Sequence, residues 1–255
     1  MLHKRIGGSG PELFLLHGWG MNGAVWERLA AALSGSFRVT VADLPGHGRS
    51  PYGLDGTHEE WVDACLEATP ENAVWIGWSL GGSLALEAAL RSPQRVRALV
   101  LVSATPRFVQ GADWPHAMPA ATLERFRDAL ESDPAATLER FLALQVKGGE
   151  DARPLLRLLR GCLAGQPEAD RAALDDGLRL LQETDLRPRL GELAMPSLWL
   201  FGDRDTLVPW HWSETLPQLL PDARRELIRG AAHAPFLSHF EQCMNPLQAF
   251  LEELQ

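Results

Sequence analysis

Cysteine is scarce in this chain, with three residues, Cys65, Cys162 and Cys243, among 255. They are widely spaced and form no C-x-x-C pair. The sequence therefore offers neither a disulfide framework nor a cysteine-based zinc site. We interpret the three residues as free, packing thiols of a cytoplasmic protein.

Signals for membranes, metals and nucleotides are also missing. No apolar run approaches the roughly 18 residues of a membrane span, and the first ten residues lack the apolar core of a secretory signal. The sequence has no G-x-x-x-x-G-K loop and no H-x-H or H-E-x-x-H spacing. We expect no membrane anchor, no metal and no cofactor.

Positive charge is in deficit, since the formal net charge is -9. This balance argues against a nucleic-acid binder that relies on general attraction to phosphate. It does not exclude a local basic surface. At 45% hydrophobic residues the composition is that of an ordinary globular protein, which we expect to be monomeric.

Short apolar runs alternate with longer amphipathic stretches, as in a mostly parallel sheet covered by helices. The predicted strands are Glu12–Leu16, Arg38–Ala42, Ala73–Gly77, Ala98–Val102, Ser197–Phe201 and Arg225–Ile228. The predicted helices between them are Ala24–Leu33, His58–Ala68, Leu80–Arg91, Ser213–Leu219 and Glu241–Glu253. This pattern predicts the α/β fold class.

The alternation stops in the middle of the chain. From 106 to 190 only helical patterns occur, such as TLERFRDALESD and ATLERFLALQ, and strands resume at MPSLWLFG. We interpret 106–190 as a helical cap inserted into a hydrolase core formed by 1–105 and 191–255. The alternative is that these helices only add packing to the core.

The strongest chemical signal is Gly77-Trp78-Ser79-Leu80-Gly81, which lies between a predicted strand and a predicted helix. In this context G-x-S-x-G is a nucleophile elbow, whose sharp turn exposes the serine hydroxyl. A serine needs a base, and the base needs an orienting acid. The pattern therefore predicts Ser79 as a nucleophile.

The expected chain order on this scaffold is Ser, then an acid, then His. Asp205 follows the next-to-last predicted strand and His233 follows the last, both at carboxyl ends of strands, where α/β folds place their sites. Asp203 competes with Asp205, and His239 competes with His233. We favour Asp205 because it lies deeper in its loop, and His233 because His239 begins the last helix.

Two segments are expected to shape the oxyanion site. Backbone N–H groups must stabilise the tetrahedral intermediate, and we assign Leu80 and Trp19 as the donors. His17, in the same HGWG segment, comes too early in the chain to be the base, so we expect a structural role. The DLPGHGRS loop is expected to support the oxyanion loop.

Together the segments HGWG, DLPGHGRS, GWSLGG, GDRDTLVP and AAHAPFLSH resemble the α/β-hydrolase superfamily over essentially the whole chain. More narrowly, HGWGMNGAVW, IGWSLGG, ERFLALQ and AAHAPFLSH resemble the pimeloyl-acyl-carrier-protein methyl ester carboxylesterases of biotin synthesis. The resemblance implies hydrolysis of the methyl ester, with release of methanol. It also carries over Ser79, Asp205 and His233 as the triad, with Trp19 and Leu80 as oxyanion donors.

This resemblance also implies a partner, the acidic acyl-carrier protein, and an apolar channel for the acyl chain. We expect Trp19, Trp78, Phe141 and Leu144 to line the channel. A net-negative enzyme needs a local basic face to attract an acidic partner. The candidate residues in the cap are Arg140, Lys147, Arg153, Arg157 and Arg160, and the alternative is that they are ordinary solvated charges.

The sequence departs from the family in its short segment before the first core strand and in a less distinctive cap after Gly148. Competing functions are a general short-chain carboxylesterase and a carbon–carbon bond hydrolase, both of which use the same triad. A non-catalytic binding protein on this scaffold is a further alternative, since a fold does not guarantee an activity.

Overall fold

The computed structural model describes residues 1–53 and 55–254. Its centre is a seven-stranded sheet with the strand order β1-β3-β2-β4-β5-β6-β7. Only β1 is antiparallel to its neighbour, and the other pairs are parallel. The strands are β1 Lys4–Gly7, β2 Glu12–Leu16, β3 Arg38–Ala42, β4 Ala73–Trp78, β5 Val96–Val102, β6 Ser197–Gly202 and β7 Arg224–Ile228.

Helices cover both faces of this sheet. They are α1 Glu27–Leu33, α2 His58–Ala68, α3 Leu80–Arg91, α4 Ala120–Ser132, α5 Pro134–Val146, α6 Ala152–Leu163, α7 Arg171–Glu183, α8 Leu216–Leu219, α9 Pro235–Ser238 and α10 Phe240–Glu253. In the described part of the chain, no helix is both long and apolar enough to cross a membrane.

The two faces of the sheet form two separate cores. Successive strand residues point to opposite faces, so Trp75 packs with α2 and α3, whereas Val74 and Ile76 pack with α1 and α10. The central strand β4 is buried along its whole length. An all-apolar strand of this kind is what a parallel sheet covered on both sides requires.

The helices α4 to α7 all lie between β5 and β6. They pack on one another and reach down to the carboxyl ends of the strands, where Trp19 donates a hydrogen bond to the Leu174 carbonyl of α7 at 2.8 Å. An isolated bridge between Arg107 and Asp185 ties the two ends of this segment together. The helical segment thus covers the sheet edge that carries the predicted site.

Most predicted elements occur within one or two residues of their predicted bounds, and those of α2 and α3 agree at both ends. The prediction missed β1, a four-residue strand that is exposed throughout. It also treated 24–33 as one helix, whereas 23–26 form a 3-10 turn before α1. Similarly, 210–215 form a 3-10 turn ahead of α8, so the predicted Ser213–Leu219 helix is shorter than expected.

Candidate active site

Ser79 lies at the turn from β4 to α3. Its backbone has φ 55° and ψ -118°, a conformation that costs energy for a residue other than glycine. Two glycines make the turn possible. A Cβ on Gly77 would lie 2.5 Å from the Gly81 carbonyl oxygen, and a Cβ on Gly81 would lie 2.5 Å from the Leu16 carbonyl oxygen. The G-x-S-x-G spacing thus follows from backbone contact on both sides of the serine.

His233 and Asp205 form a buried pair at the same edge of the sheet. The distance from His233 Nδ1 to Asp205 Oδ2 is 2.8 Å. The other carboxylate oxygen of Asp205 accepts hydrogen bonds from Leu207 N at 2.9 Å and Val208 N at 3.0 Å. The carboxylate is therefore held at both oxygens and fixes the orientation of the imidazole.

The histidine loop is itself anchored from two directions. Trp78 Nε1 donates to the His233 carbonyl at 2.8 Å, and His233 N donates to the Gln145 carbonyl at 3.0 Å. Gln145 lies in the last turn of α5, where backbone carbonyls have no partner within the helix. His233 Nε2 is buried and has no hydrogen-bond partner among the described residues. It is thus available to a hydroxyl at the elbow.

Two backbone N–H groups beside Ser79 have no acceptor in the part of the chain that the structure describes. One belongs to Leu80, the first residue of α3, and such a donor is left free at every helix start. The other belongs to Trp19, in the turn after β2. Both residues are almost fully buried. A carbonyl oxygen placed here would meet donors that water does not reach easily.

Two buried histidines hold the Trp19 turn against the loop after β3. His17 Nε2 accepts from Leu44 N at 2.9 Å, and His47 Nε2 accepts from Gly20 N at 3.2 Å. Burial lowers the pKa of both imidazoles, that of His47 to about 3. Both rings are therefore neutral, with Nδ1–H facing a backbone carbonyl and Nε2 free to accept.

Asp43 organises the same loop. It accepts hydrogen bonds from Gly23 N at 2.7 Å and Arg49 N at 3.0 Å, and it lies 3.1 Å from the ring of His3. Although burial alone would raise the pKa of Asp43, hydrogen bonds from the backbone N–H groups of Arg49 and Gly23 outweigh it and lower that pKa. The sequence marked this loop as a support but did not indicate which atoms provide it.

The cap contributes an aromatic wall beside Trp19. Phe141 of α5 packs edge-on against the Trp19 ring, with 4.6 Å between centroids. Next to this pair lies an apolar groove between Gly20, Leu138 and Leu174. Its volume, counted as the space that the centre of a water molecule can reach, is about 270 Å³. Leu144 is half-buried against the same core. The lining of the groove is more apolar than polar.

Trp78 lies in a different position from the other predicted wall residues. It is fully buried, and its ring packs against His233 and Phe236 on the α10 side of the sheet. Its observed contacts support the histidine loop. The channel-wall role predicted for Trp78 stays a prediction.

Each rival of a triad residue has its own structural partner. Asp203 Oδ1 accepts from Gly230 N at 2.7 Å and so joins the two loops that carry Asp205 and His233. His239 directly precedes α10, and its ring contacts the Ser238 hydroxyl at 2.8 Å. The histidine that contacts Asp205 is His233.

The model of the α/β-hydrolase fold family matches residues 11–240. A pimeloyl-[acyl-carrier protein] methyl ester esterase of Methylococcus capsulatus is 45% identical over 244 residues, which are 96% of each chain. One from Photobacterium profundum is 42% identical over 245 residues, again 96% of each. The chain belongs to this esterase family of α/β hydrolases.

Solved structures show the same fold at lower sequence similarity. An esterase from Exiguobacterium antarcticum superimposes with a TM-score of 0.88 at 22% identity and covers 98% of this chain and 95% of its own. At that identity the likeness concerns the fold alone.

The predicted cap cations are all on the surface. Arg140, Lys147, Arg153 and Arg157 are exposed, and within the described residues none lies within 4.0 Å of a carboxylate oxygen. Arg160 differs, because it forms an ion pair with Glu139 at 2.7 Å. Glu150, a second acidic neighbour, is paired with Arg204 at 3.1 Å. The four remaining cations keep their charge available on α5, α6 and the turn between them.

No group of three or more His, Cys, Asp or Glu side chains suitable for a metal ion occurs in residues 1–53 and 55–254. The three thiols are unbridged, with Cys65 and Cys243 buried. Burial raises the pKa of the Cys243 thiol to about 12, so it stays protonated at neutral pH.

Proposed function

We propose that this protein is a serine carboxylesterase that hydrolyses the methyl ester of pimeloyl-acyl-carrier protein in biotin synthesis, giving methanol and the free distal carboxylate. The observation that carries the proposal is the 42–45% identity, over 96% of the chain, to proteins named for this esterase activity. The arrangement of Ser79, His233 and Asp205 provides chemistry that suits such a reaction.

In the first half of the reaction Ser79 Oγ attacks the ester carbonyl carbon while its proton moves to His233 Nε2. Asp205 holds Nδ1–H, so Nε2 is the basic nitrogen, and the same carboxylate stabilises the imidazolium. The carbonyl oxygen gains negative charge and accepts hydrogen bonds from Trp19 N and Leu80 N. Such donors are typically worth a factor of about 10²–10³ each in kcat.

The tetrahedral intermediate collapses when the bond between the carbonyl carbon and the methoxy oxygen breaks. His233 gives its proton to that oxygen, so methanol leaves and an acyl-Ser79 ester remains. Water then attacks the acyl carbon with its proton passing to His233 Nε2. Collapse returns the proton to Ser79 Oγ and releases the carboxylic acid, which loses its remaining proton to water, so that the enzyme is restored.

Selectivity requires that the ester reaches Ser79 while the more reactive thioester stays outside. Trp19, Phe141 and Leu144 are the proposed walls of an apolar path from the elbow to the groove beside Gly20. An apolar path favours the methylene chain of the substrate over charged or hydrated groups. The thioester and its carrier protein then remain at the cap surface, away from His233.

The carrier protein docks, in this proposal, on the four free cations of the cap: Arg140, Lys147, Arg153 and Arg157. Leu158 is 42% exposed beside Arg157, and few large apolar side chains in residues 1–53 and 55–254 are as exposed. Basic side chains near an exposed apolar one suit an acidic partner that contributes both kinds of contact. We also propose that the enzyme is a monomer. We place it in the cytoplasm, where its unbridged thiols are stable.

The test is a comparison of two substrates with two enzymes. Wild type and Ser79→Ala are assayed on pimeloyl-acyl-carrier-protein methyl ester and on a short p-nitrophenyl ester. The proposal predicts Ser79-dependent hydrolysis of the methyl ester, with a much higher kcat/KM than for the short ester. Hydrolysis of the short ester alone contradicts the substrate assignment and leaves a general carboxylesterase.

A further inference from the structure

A second, much smaller cavity adjoins Ser79, near the end of β5. Its volume, counted as the space that the centre of a water molecule can reach, is about 10 Å³. This is room for about one water. Its walls carry five hydroxyl side chains, Ser79, Ser83, Ser103, Thr105 and Thr184, and three large apolar ones, Phe108, Leu181 and Val208. The cavity is thus small and partly polar.

Ser103 is the unusual residue of this cavity. Its backbone has φ 45°, in the left-handed region that non-glycine residues rarely adopt. It is fully buried, and its Oγ has no hydrogen-bond partner among the described residues. Buried hydroxyls are nearly always hydrogen-bonded to protein, water or a ligand. A strained, unpartnered hydroxyl beside a nucleophile is therefore a reason to expect a small polar ligand.

The spaces near the elbow differ greatly in size. The groove beside Gly20 has a volume of about 270 Å³, whereas the volume of the Ser103 cavity, counted in the same way, is about 10 Å³. An ester has one substituent on its carbonyl carbon and another on its alkoxy oxygen. In the proposed substrate the first substituent is a carrier-bound chain and the second is a methyl group. Only the methyl group fits the smaller space.

We propose that the Ser103 cavity is the alcohol pocket of the enzyme, which takes the methyl group of the ester and then the methyl group of the methanol formed from it. This assignment rests on the proposed function for the identity of the alcohol. The Ser103 hydroxyl is the hydrogen-bond partner of that methanol, once His233 has protonated the departing oxygen. Phe108 and Leu181 limit the alcohol to one carbon.

The pocket predicts discrimination by the size of the alcohol at constant acyl group. One methylene too many in a closed pocket changes relative rates by about 10–200-fold. The test uses methyl, ethyl and propyl butyrate, with release of acid measured at constant pH. These esters need no carrier protein, so the result does not depend on carrier recognition.

Ser103→Gly is the decisive variant, because glycine tolerates φ 45° and removes the hydroxymethyl group from the cavity. We expect the propyl-to-methyl ratio of kcat/KM to rise by about 10-fold or more. Ser103→Ala keeps most of the volume, so its ratio should stay near that of wild type. Leu181→Ala, on another wall, is a second enlargement should the glycine variant fold poorly.

Leu138→Ala is the matched control, since Leu138 lines the groove on the Gly20 side and not the Ser103 cavity. Its alcohol ratio should equal that of wild type. Equal kcat/KM for methyl and propyl butyrate in wild type overturns the proposal, and so does an unchanged ratio in both enlarged variants. If the carrier-bound methyl ester is not cleaved but the ratio shifts, the proposed function fails and the pocket stands.

Discussion

Gly177 of α7 lies against the indole ring of Trp19 so closely that a Cβ at this position would be 2.7 Å from Cδ1 and 3.1 Å from Nε1. The ring has little freedom to move, because Nε1 donates to the Leu174 carbonyl and Phe141 packs on its face. The cap thus contacts the residue whose backbone N–H faces the proposed oxyanion position. We therefore expect α7 to influence the geometry of the Trp19 turn through this contact.

Gly177→Ala should therefore impair catalysis as well as folding. The added methyl group overpacks the contact, which typically costs about 1–3 kcal/mol of unfolding free energy. Because the Trp19 turn must shift, we expect kcat to fall by about 10-fold or more, with a smaller change in KM. The measurements are steady-state kinetics and urea unfolding.

Gly161→Ala in α6 is the control for that variant. Apart from its chain neighbours and the backbone of its own helix, nothing lies within 4 Å of a Cβ built there, so alanine should raise stability by about 0.4–1 kcal/mol and leave kcat unchanged. Equal kcat for Gly177→Ala and wild type would show that α7 does not position Trp19.

Asp205→Asn should abolish most of the activity without disturbing its loop. The amide oxygen can keep the hydrogen bonds from Leu207 N and Val208 N, but the amide N–H₂ then faces His233 Nδ1. This arrangement favours the wrong imidazole tautomer, and we expect kcat to drop by about 10⁴-fold. Asp203→Asn is the matched control and should keep kcat within about 3-fold, since its carbonyl can still accept from Gly230 N. The opposite order of effects would make Asp203 the triad acid.

His47→Phe should change how stability depends on pH. The pKa of His47 is lowered from 6.5 to about 3, so below pH 6.5 the unfolded chain binds a proton that the folded chain does not. Wild type therefore loses about 1.4 kcal/mol per pH unit from this group as the pH falls from 6.5 toward 3. The variant lacks this loss.

At pH 7 the same variant should be less stable than wild type by about 1–3 kcal/mol, because Gly20 N loses its buried acceptor. The difference should then shrink at pH 5. Urea unfolding at the two pH values measures both effects. Parallel curves for the two proteins would mean that His47 is protonated in the fold or exposed to water.

Charge reversal on the cap should affect only the carrier-bound substrate. With Arg153→Glu and Arg157→Glu together, we expect kcat/KM for pimeloyl-acyl-carrier-protein methyl ester to fall by about 10-fold or more at low salt, mainly through KM. The rate on a small ester should stay within about 2-fold of wild type, because charges this exposed act weakly on a distant site.

The pair Arg38→Glu and Arg225→Glu is the control, since it changes net charge equally at exposed sites outside the cap. It should leave the carrier-bound substrate unaffected. An equal loss with both pairs, or a loss on both substrates, contradicts docking at Arg153 and Arg157.

Local sequence was enough to predict the elbow. The glycines around Ser79 are required by backbone contacts within a few residues, and the α3 bounds follow from the apolar run after them. By contrast, β1 was missed because its four residues are exposed and show no alternation. It is a strand only because β3 offers an edge to pair with.

Contacts between residues far apart in the chain could not be predicted from the sequence. The bond from Gly20 N to His47 joins residues 27 apart, and that from Trp19 to Leu174 joins residues 155 apart. Neither hydrogen bond can be predicted from the local sequence pattern. Ser103 shows the same limit, because nothing in the motif SATP indicates a left-handed backbone without glycine.

The most direct measurement is the intact mass of the carrier protein after one reaction with the enzyme. The carrier bears pimeloyl methyl ester through its thioester, and wild type is compared with Ser79→Ala. The account predicts that wild type removes the mass of one methylene, by exchange of methyl for hydrogen, and that Ser79→Ala removes nothing. Loss of the whole acyl group, or removal of the methyl group by Ser79→Ala, would contradict it.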